Sequence, residues 1–187
     1  QGRPLSFLDH HLRRGNSLVG ARPDDLAQAL PQMGQTEASR QERRARKAGQ
    51  LSMLDSLAFS QHVTAATDLL TQISARVAET VEDVQAQEAE YDQVRAELKP
   101  YRQLAHLVIA RHFGAETSKR TFDATSTYLV NGAVSPVPEY QRLLARTHEL
   151  ATLHKFFHWD LEFPEVFFGG RDPSRRNELG FQAVVGN

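Results

Sequence analysis

The longest regular hydrophobic pattern lies in a part of the chain without helix breakers. Residues 51–99 contain neither Gly nor Pro and are rich in Ala, Leu, Gln, Glu and Arg, a composition that favours α-helix. Apolar side chains recur at Leu70, Ile73, Val77, Val84, Tyr91, Val94, Leu98 and Tyr101. In a heptad frame with a positions at 70, 77, 84, 91 and 98, only the d positions Thr80 and Gln87 are polar. This is a coiled-coil pattern, hereafter the seam.

A second, less regular apolar stripe at Leu51, Leu54, Leu57 and Ala58 precedes the seam. The two stripes follow different frames, which leaves room for a break around residues 60–68. The pattern therefore predicts either one bent helix or an antiparallel helix pair over residues 50–99. A third helix is expected from about 101 to 113.

Gly and Pro set the boundaries of the elements that follow. Gly114 comes directly after Arg111, His112 and Phe113 and is predicted to end the third helix, with cationic side chains near its carboxyl end. Residues 114–138 are expected to be a loop. A further helix is predicted over residues 138–156, since Pro138 suits a first helical turn.

The two ends of the chain have a different pattern. Residues 1–34 are punctuated by Pro and Gly and predict a brief strand within 12–19 and a short helix from Pro23 to near Pro31. Residues 181–185 are short, apolar and β-branched, which is typical of a buried strand in a parallel sheet. Because the chain opens without Met and closes on this apolar run, we expect it to be a segment of a larger protein.

Composition limits the class of protein. Hydrophobic residues make up 40% of the chain and charged residues 24%, which supports a packed core. No run approaches the roughly 20 apolar residues that a membrane-spanning helix needs, and no signal-peptide pattern is present. Cys is absent, which excludes disulfides and thiolate metal sites. We expect a cytoplasmic protein without a membrane partner.

The net charge of −1 hides an uneven distribution. Residues 79–92 are acidic, whereas residues 95–120 are basic. A second basic cluster contains Arg40, Arg43, Arg44, Arg46 and Lys47. Contact of Arg43, Arg44, Arg46 and Lys47 with DNA phosphates is one interpretation of that cluster, and a solvated helix face is the other.

Two clusters of motifs lie near the two ends of the chain. In the first, residues 2–12 (GRPLSFLDHHL) lead into residues 15–21 (GNSLVGA). In the second, residues 158–167 (HWDLEFPEVF) precede residues 180–187 (GFQAVVGN). Both clusters resemble the adenine-N6 DNA methyltransferases of restriction-modification and phage-defence systems, in particular the large single-chain kind. The first is like the family's G-[DN]-S-L turn, and the second is similar to its W-x-L-E-F-P-E-V-F and G-F-D-x-V-[IV]-G-N, which continues into P-P-[YFW].

The resemblance implies a Rossmann-like methyltransferase sheet with the cofactor and the target base at the carboxyl ends of its strands. The expected fold is mainly α, a long helical hairpin or coiled-coil-like insertion flanked by pieces of that α/β sheet. Residues 1–34 would be a core segment on the cofactor side. Residues 35–156 would be the helical insertion, and residues 157–187 a core segment leading into the catalytic motif.

The resemblance also assigns roles to individual residues. Asn187 falls on the first residue of N-P-P-[YFW], where its side-chain oxygen would accept a hydrogen bond from the amine of a flipped-out adenine. Asn16 and Ser17 fall near the adenine ring of S-adenosyl-L-methionine, although a plain turn is an equal alternative there. Gln182 replaces a common Asp. The Gly-rich cofactor loop would precede Gln1 and the two prolines would follow Asn187, so this segment alone is expected to be inactive.

Other interpretations remain open at this point. Trp159, Phe163 and Phe167 suit core packing better than base stacking. His154 and His158 are spaced like metal ligands, but the second His of H-E-x-x-H is missing and we expect no metal site. The expected partners are double-stranded DNA and a neighbouring domain or defence-system subunit. Alternatively, the helical block is a non-enzymatic interaction module that mediates oligomerisation or partner docking.

Overall fold

A computed structural model describes residues 11–22, 25–26, 29, 57–131, 137–169 and 180–185. These residues are mainly helical, as predicted. The helices are α1 (Leu57–Ala75), α2 (Val81–Ala110), α3 (Lys119–Asn131), α4 (Pro138–His154), α5 (Trp159–Glu162) and α6 (Pro164–Phe168), with a 3-10 turn at Arg111–Phe113. No helix within the described ranges has the length and apolar character needed to cross a membrane.

Helices α1 and α2 form an antiparallel hairpin. His62 Nδ1 of α1 lies 2.5 Å from Glu97 Oε2 of α2, whereas Arg76, just after α1, pairs with Glu90. A higher residue number in or after α1 therefore pairs with a lower residue number in α2, so the two helices run in opposite directions. Of the two predicted arrangements, the antiparallel pair is confirmed and the single bent helix is wrong.

The break between the two helices lies at residues 76–80, not at the predicted 60–68. A capping box at the start of α2 places it there. The Thr80 side chain accepts a hydrogen bond from Asp83 N at 3.1 Å, and the Asp83 carboxylate accepts one from Thr80 N at 2.9 Å. These bonds satisfy backbone donors that the first helical turn leaves unpaired, and they lower the pKa of Asp83.

Helix α2 runs through Pro100 to Ala110, so the separate third helix predicted from residue 101 is wrong. A proline within a helix removes one backbone hydrogen bond and costs about 3 kcal/mol. Burial offsets that cost here, because Leu98, Leu104 and Leu107 around it are at most 1% exposed. The predicted end is confirmed: Gly114 adopts a left-handed conformation with φ of 94°.

Helix α3 occupies residues that we predicted as loop. Its centre is rich in hydroxyl side chains, which usually compete with helical hydrogen bonding. Here Thr125, Ser126 and Thr127 each donate to the carbonyl four residues earlier, at 2.7–2.8 Å. The hydroxyls are thereby satisfied inside the helix, and Thr125 and Ser126 are fully buried. Helix α4 matches its prediction closely, since it begins at Pro138 and ends at His154.

The core surrounds the second half of α2. Helices α1, α3 and α4 all pack against α2. The buried cluster also includes Leu26 and Ala29, which are helical as predicted for that region. The two predicted strands do not form within the described residues: residues 12–19 contribute only one isolated parallel bridge, Asn16 to Phe156, and residues 181–185 are exposed. Among the described residues none forms a β-bridge with residues 181–185, so the flanking sheet stays a prediction.

Candidate functional site

Residues 11–22 and residues 155–163 meet along a short parallel contact, which we call the junction. Asn16 N donates to Lys155 O at 2.6 Å, and Phe157 N donates to Val19 O at 2.8 Å. Further along, the Trp159 indole N–H donates to Ser17 O at 2.9 Å. Backbone and side-chain hydrogen bonds therefore hold together segments that lie far apart in the sequence.

Local backbone features allow this close approach. Lys155 takes a left-handed conformation with φ of 53°, which ends α4 and redirects the chain toward the junction. A Cβ at Gly20 would lie 1.8 Å from Phe157 O, and a Cβ at Gly15 would lie 2.5 Å from the Phe157 ring. Only glycine fits at either position, because any side chain would force the segments apart.

A charged cluster anchors the junction to the hairpin. Arg102 Nε of α2 donates to Glu162 Oε1 at 3.0 Å, and Arg13 Nε donates to the Glu162 carbonyl at 3.0 Å. The Arg13 guanidinium also lies over the rings of Tyr91 and Phe163, 5.1 and 5.4 Å from their centroids. One side chain from the first segment therefore contacts both α2 and the α5–α6 region.

We expect Glu162→Gln to lower the free energy of unfolding by about 2–3 kcal/mol, because it leaves two largely buried guanidinium groups facing a neutral amide. Urea unfolding would measure the loss. The matched control is Glu149→Gln, since Glu149 is 65% exposed and pairs with Arg146; an exposed pair contributes less than about 1 kcal/mol. Equal losses for the two variants would show that the cluster does not stabilise the junction.

Two neutral histidines, His158 of the junction and His106 of α2, lie side by side. His158 is 1% exposed, and its Nδ1 accepts a hydrogen bond from Ala21 N at 2.9 Å. The His106 ring lies 5.0 Å from it between centroids. Burial, with the nearby His106 and Arg102, lowers the pKa of His158 to about 3. Burial, with Arg102 and His148, lowers the pKa of His106 to about 4.

These pKa values predict that acid destabilises the fold. Unfolded histidines take up protons near their ordinary pKa of 6.5, whereas folded His106 and His158 resist protonation down to about 4 and 3. The stabilisation is complete above pH 6.5 and is lost as pH falls toward the folded values, by up to about 1.4 kcal/mol per pH unit for each group. Urea midpoints at about pH 7.5 and pH 5 would measure it. His158→Asn, which keeps an acceptor for Ala21 N, should reduce the difference, and the exposed control His112→Asn should not.

An aromatic groove of about 440 Å³ opens beside the junction. Its walls include Arg13, Ser17, Phe157, Trp159, Phe163 and Phe181. Trp159 packs edge-to-face on Phe157 and Phe181, with centroids 5.0 and 5.6 Å apart. It is half-buried in the wall of the groove and not in the core, so its predicted packing against a sheet stays a prediction. Three of the side chains that line the groove are apolar and exposed: Leu12 is 70% exposed, Val184 68% and Val185 97%. A cluster of exposed apolar side chains indicates a binding surface for a ligand or another protein segment.

The structure locates only some of the predicted site residues. Asn16 Oδ1 accepts a hydrogen bond from Leu18 N at 3.2 Å, so its side chain closes a local turn. Ser17 lines the groove and is exposed. Asn187 lies outside the described residues, as do the basic residues Arg43, Arg44, Arg46 and Lys47.

Sequence reasoning missed the residues that organise the junction. Arg13 and Glu162 are separated by 149 positions, and no spacing rule connects them. The sequence marks His158 as a metal candidate and as the first residue of a motif cluster, whereas in the structure it is a buried hydrogen-bond acceptor. The described part of the chain contains no group of three His, Asp or Glu side chains that could hold a metal ion. Comparisons of the chain with protein-family models, curated proteins and solved structures found no match.

Proposed function

We propose that this chain is part of an S-adenosyl-L-methionine-dependent DNA methyltransferase that methylates adenine N6 in a specific DNA sequence. The observation that carries the proposal is the junction. The two motif clusters that resemble this family contact each other through Ser17 and Trp159, which are 142 positions apart, and through Ala21 and His158, which are 137 apart. Segments of one methyltransferase core separated by an insertion would have to meet in this way.

Two features of the junction support a place in a larger sheet. The bridge between Asn16 and Phe156 is parallel, the direction that a Rossmann-like sheet requires. The exposed apolar side chains that line the groove, among them Leu12 and Val185, are of the kind that a central sheet buries. In this proposal the remaining strands of the parent protein, meaning the longer chain that the proposal requires, cover these side chains and leave the wall formed by Trp159 and Ser17 open.

The groove suits a nucleoside, since the Trp159 ring and the exposed Ser17 lie side by side in its wall. When bound, S-adenosyl-L-methionine supplies the methyl group. In the proposed reaction Asn187 accepts a hydrogen bond from the exocyclic amine of the adenine and thereby directs the nitrogen lone pair toward the methyl donor. The target base is flipped out of double-stranded DNA, and Arg43, Arg44, Arg46 and Lys47 are candidates for phosphate contact.

The proposal is tested first by the sequence of the parent protein. Pro-Pro followed by Tyr, Phe or Trp is expected directly after Asn187, and any other tripeptide would contradict the proposal. The second test incubates the parent protein with isotope-labelled S-adenosyl-L-methionine and duplex DNA. We expect label in N6-methyladenine; label in cytosine alone, or in no base, would argue against this function. The isolated 187-residue chain is the control and should transfer none.

The alternative, in which the helical block is an interaction module, applies only to the outer surface of the hairpin. Leu70, Val94 and Leu98 of the seam are at most 3% exposed, because α1 and α2 bury most of the seam between themselves and, of its apolar side chains, leave only Val77 exposed. A dimer formed through the seam would therefore require the hairpin to open. The exposed surface of the hairpin, in contrast, remains accessible to a partner.

A further inference from the structure

The far end of the hairpin stands away from the rest of the described fold. We call residues 64–94 the arm; they comprise the second part of α1, the turn at residues 76–80 and the first part of α2. Arg13 contacts α2 at Tyr91, and the ten residues from there to Val81 extend about 15 Å further at 1.5 Å per residue. Within residues 81–93 only Gln87 is buried, and its amide donates to Arg76 O in the turn at 3.1 Å.

The arm is strongly acidic. It carries seven carboxylate side chains, at Asp68, Glu79, Glu82, Asp83, Glu88, Glu90 and Asp92. Its single basic side chain is Arg76, which already pairs with Glu90. The excess negative charge projects into solvent, because Glu79, Glu82, Asp83 and Glu88 are all exposed.

Two valines are exposed within this acidic surface. Val77 is 81% exposed and Val81 is 65% exposed, one on each side of Ala78 and Thr80 in the turn. We call these valines with Glu79 and Glu82 the tip. The hairpin buries neither side chain: Val77 is a seam position that α1 and α2 leave exposed, and Val81 lies outside the seam.

We propose that the tip is a docking surface for a basic protein partner, one that presents an apolar side chain between Lys or Arg residues. Charge complementarity selects this occupant. Duplex DNA carries a dense row of phosphates, which the arm repels, and a second copy that approached arm to arm would be repelled for the same reason. A basic surface gains electrostatic attraction at its rim and buries the two valines at its centre.

This proposal does not depend on the methyltransferase assignment, because the tip contains none of the residues of the junction. It specifies that the predicted neighbouring domain or defence-system subunit has a basic surface with an apolar side chain at its centre. If the chain does belong to a DNA methyltransferase, the acidic arm faces that partner and the duplex binds elsewhere.

The test uses the full 187-residue chain and a fluorescent synthetic peptide with one leucine flanked by lysines and arginines. We expect saturable binding in fluorescence anisotropy. The double variant Val77→Ser/Val81→Ser should raise Kd at least about tenfold, and Glu79→Gln/Glu82→Gln should raise it by a similar factor and reduce the salt dependence. Both leave the capping box of Thr80 and Asp83 intact, and circular dichroism checks the fold.

Matched controls distinguish docking at the tip from non-specific binding of the peptide. Leu153→Ser removes another exposed apolar side chain, 72% exposed on α4, and Glu116→Gln removes an exposed carboxylate outside the arm. Neither should change Kd. The proposal would be overturned if the valine variant bound the peptide like the wild type. Competition by a duplex oligonucleotide for the tip, or a dimer that the valine variant abolishes without peptide binding, would also overturn it.

Discussion

Asn187→Ala in the parent protein is expected to lower the rate of adenine methylation by at least about 100-fold. The exocyclic amine of adenine is a weak nucleophile because its lone pair is shared with the ring. An acceptor that holds one N–H fixes the amine in the orientation from which the lone pair can attack the methyl group. Alanine provides no acceptor, so the amine stays conjugated and poorly aligned.

The measurement is single-turnover transfer of labelled methyl groups to duplex DNA. The matched control is Gln103→Ala, which removes an amide that is exposed on α2 and should leave the rate unchanged. Cofactor and DNA affinities of the Asn187 variant should also stay close to those of the wild type. A rate within about threefold of the wild type would contradict the catalytic role that the resemblance assigns.

Gly20→Ala is expected to disrupt the junction and to lower the free energy of unfolding by about 3 kcal/mol or more. The new Cβ would lie 1.8 Å from Phe157 O. The position of the Cβ is fixed by the backbone and its neighbour is a backbone atom, so no side-chain rotation relieves the overlap. The hydrogen bond from Phe157 N to Val19 O, which is 2.8 Å long, should be lost as the segments separate.

Trp159 makes this loss measurable, because it is the only tryptophan of the chain and lies at the junction. A red shift of its fluorescence before global unfolding would report local opening. The matched control is Gly114→Ala, since a Cβ at Gly114 meets nothing within 4 Å and costs only the left-handed strain of about 1–2 kcal/mol. If both variants lost the same stability and kept wild-type fluorescence, the junction would not depend on the close approach at Gly20.

The helical character of this block and its end could be predicted from the sequence because both depend on local physics: apolar positions recur at helical spacing, and Gly114 supplies the left-handed cap. The position of the turn at residues 76–80 and the continuation of α2 through Pro100 could not, because they depend on the capping box and on burial around Pro100. Helix α3 could not be predicted, because the benefit of Thr125 and Ser126 depends on burial against α2 and α4. Local propensity counts those hydroxyls against a helix, whereas the packed fold satisfies them.

The candidate site could also be predicted only in part. The motif clusters around Asn16 and Trp159 are visible in the sequence, and the resemblance leads us to expect that they lie close together. The individual contacts that join the two clusters could not be predicted. Arg13 meets Glu162 and Ala21 meets His158 across more than a hundred residues, and such pairs follow from the whole chain's path rather than from any local pattern.

The junction also bears on how such a chain can change over generations. Asn16 and Lys155 are hydrogen-bonded at 2.6 Å, yet the residues between them are not independent of the flanking segments, because Arg102 and His106 of α2 contact Glu162 and His158. The arm is different, since within residues 81–93 only Gln87 is buried. Lengthening or shortening the arm should therefore leave the junction in place, and the entropic cost of loop closure grows only slowly with length.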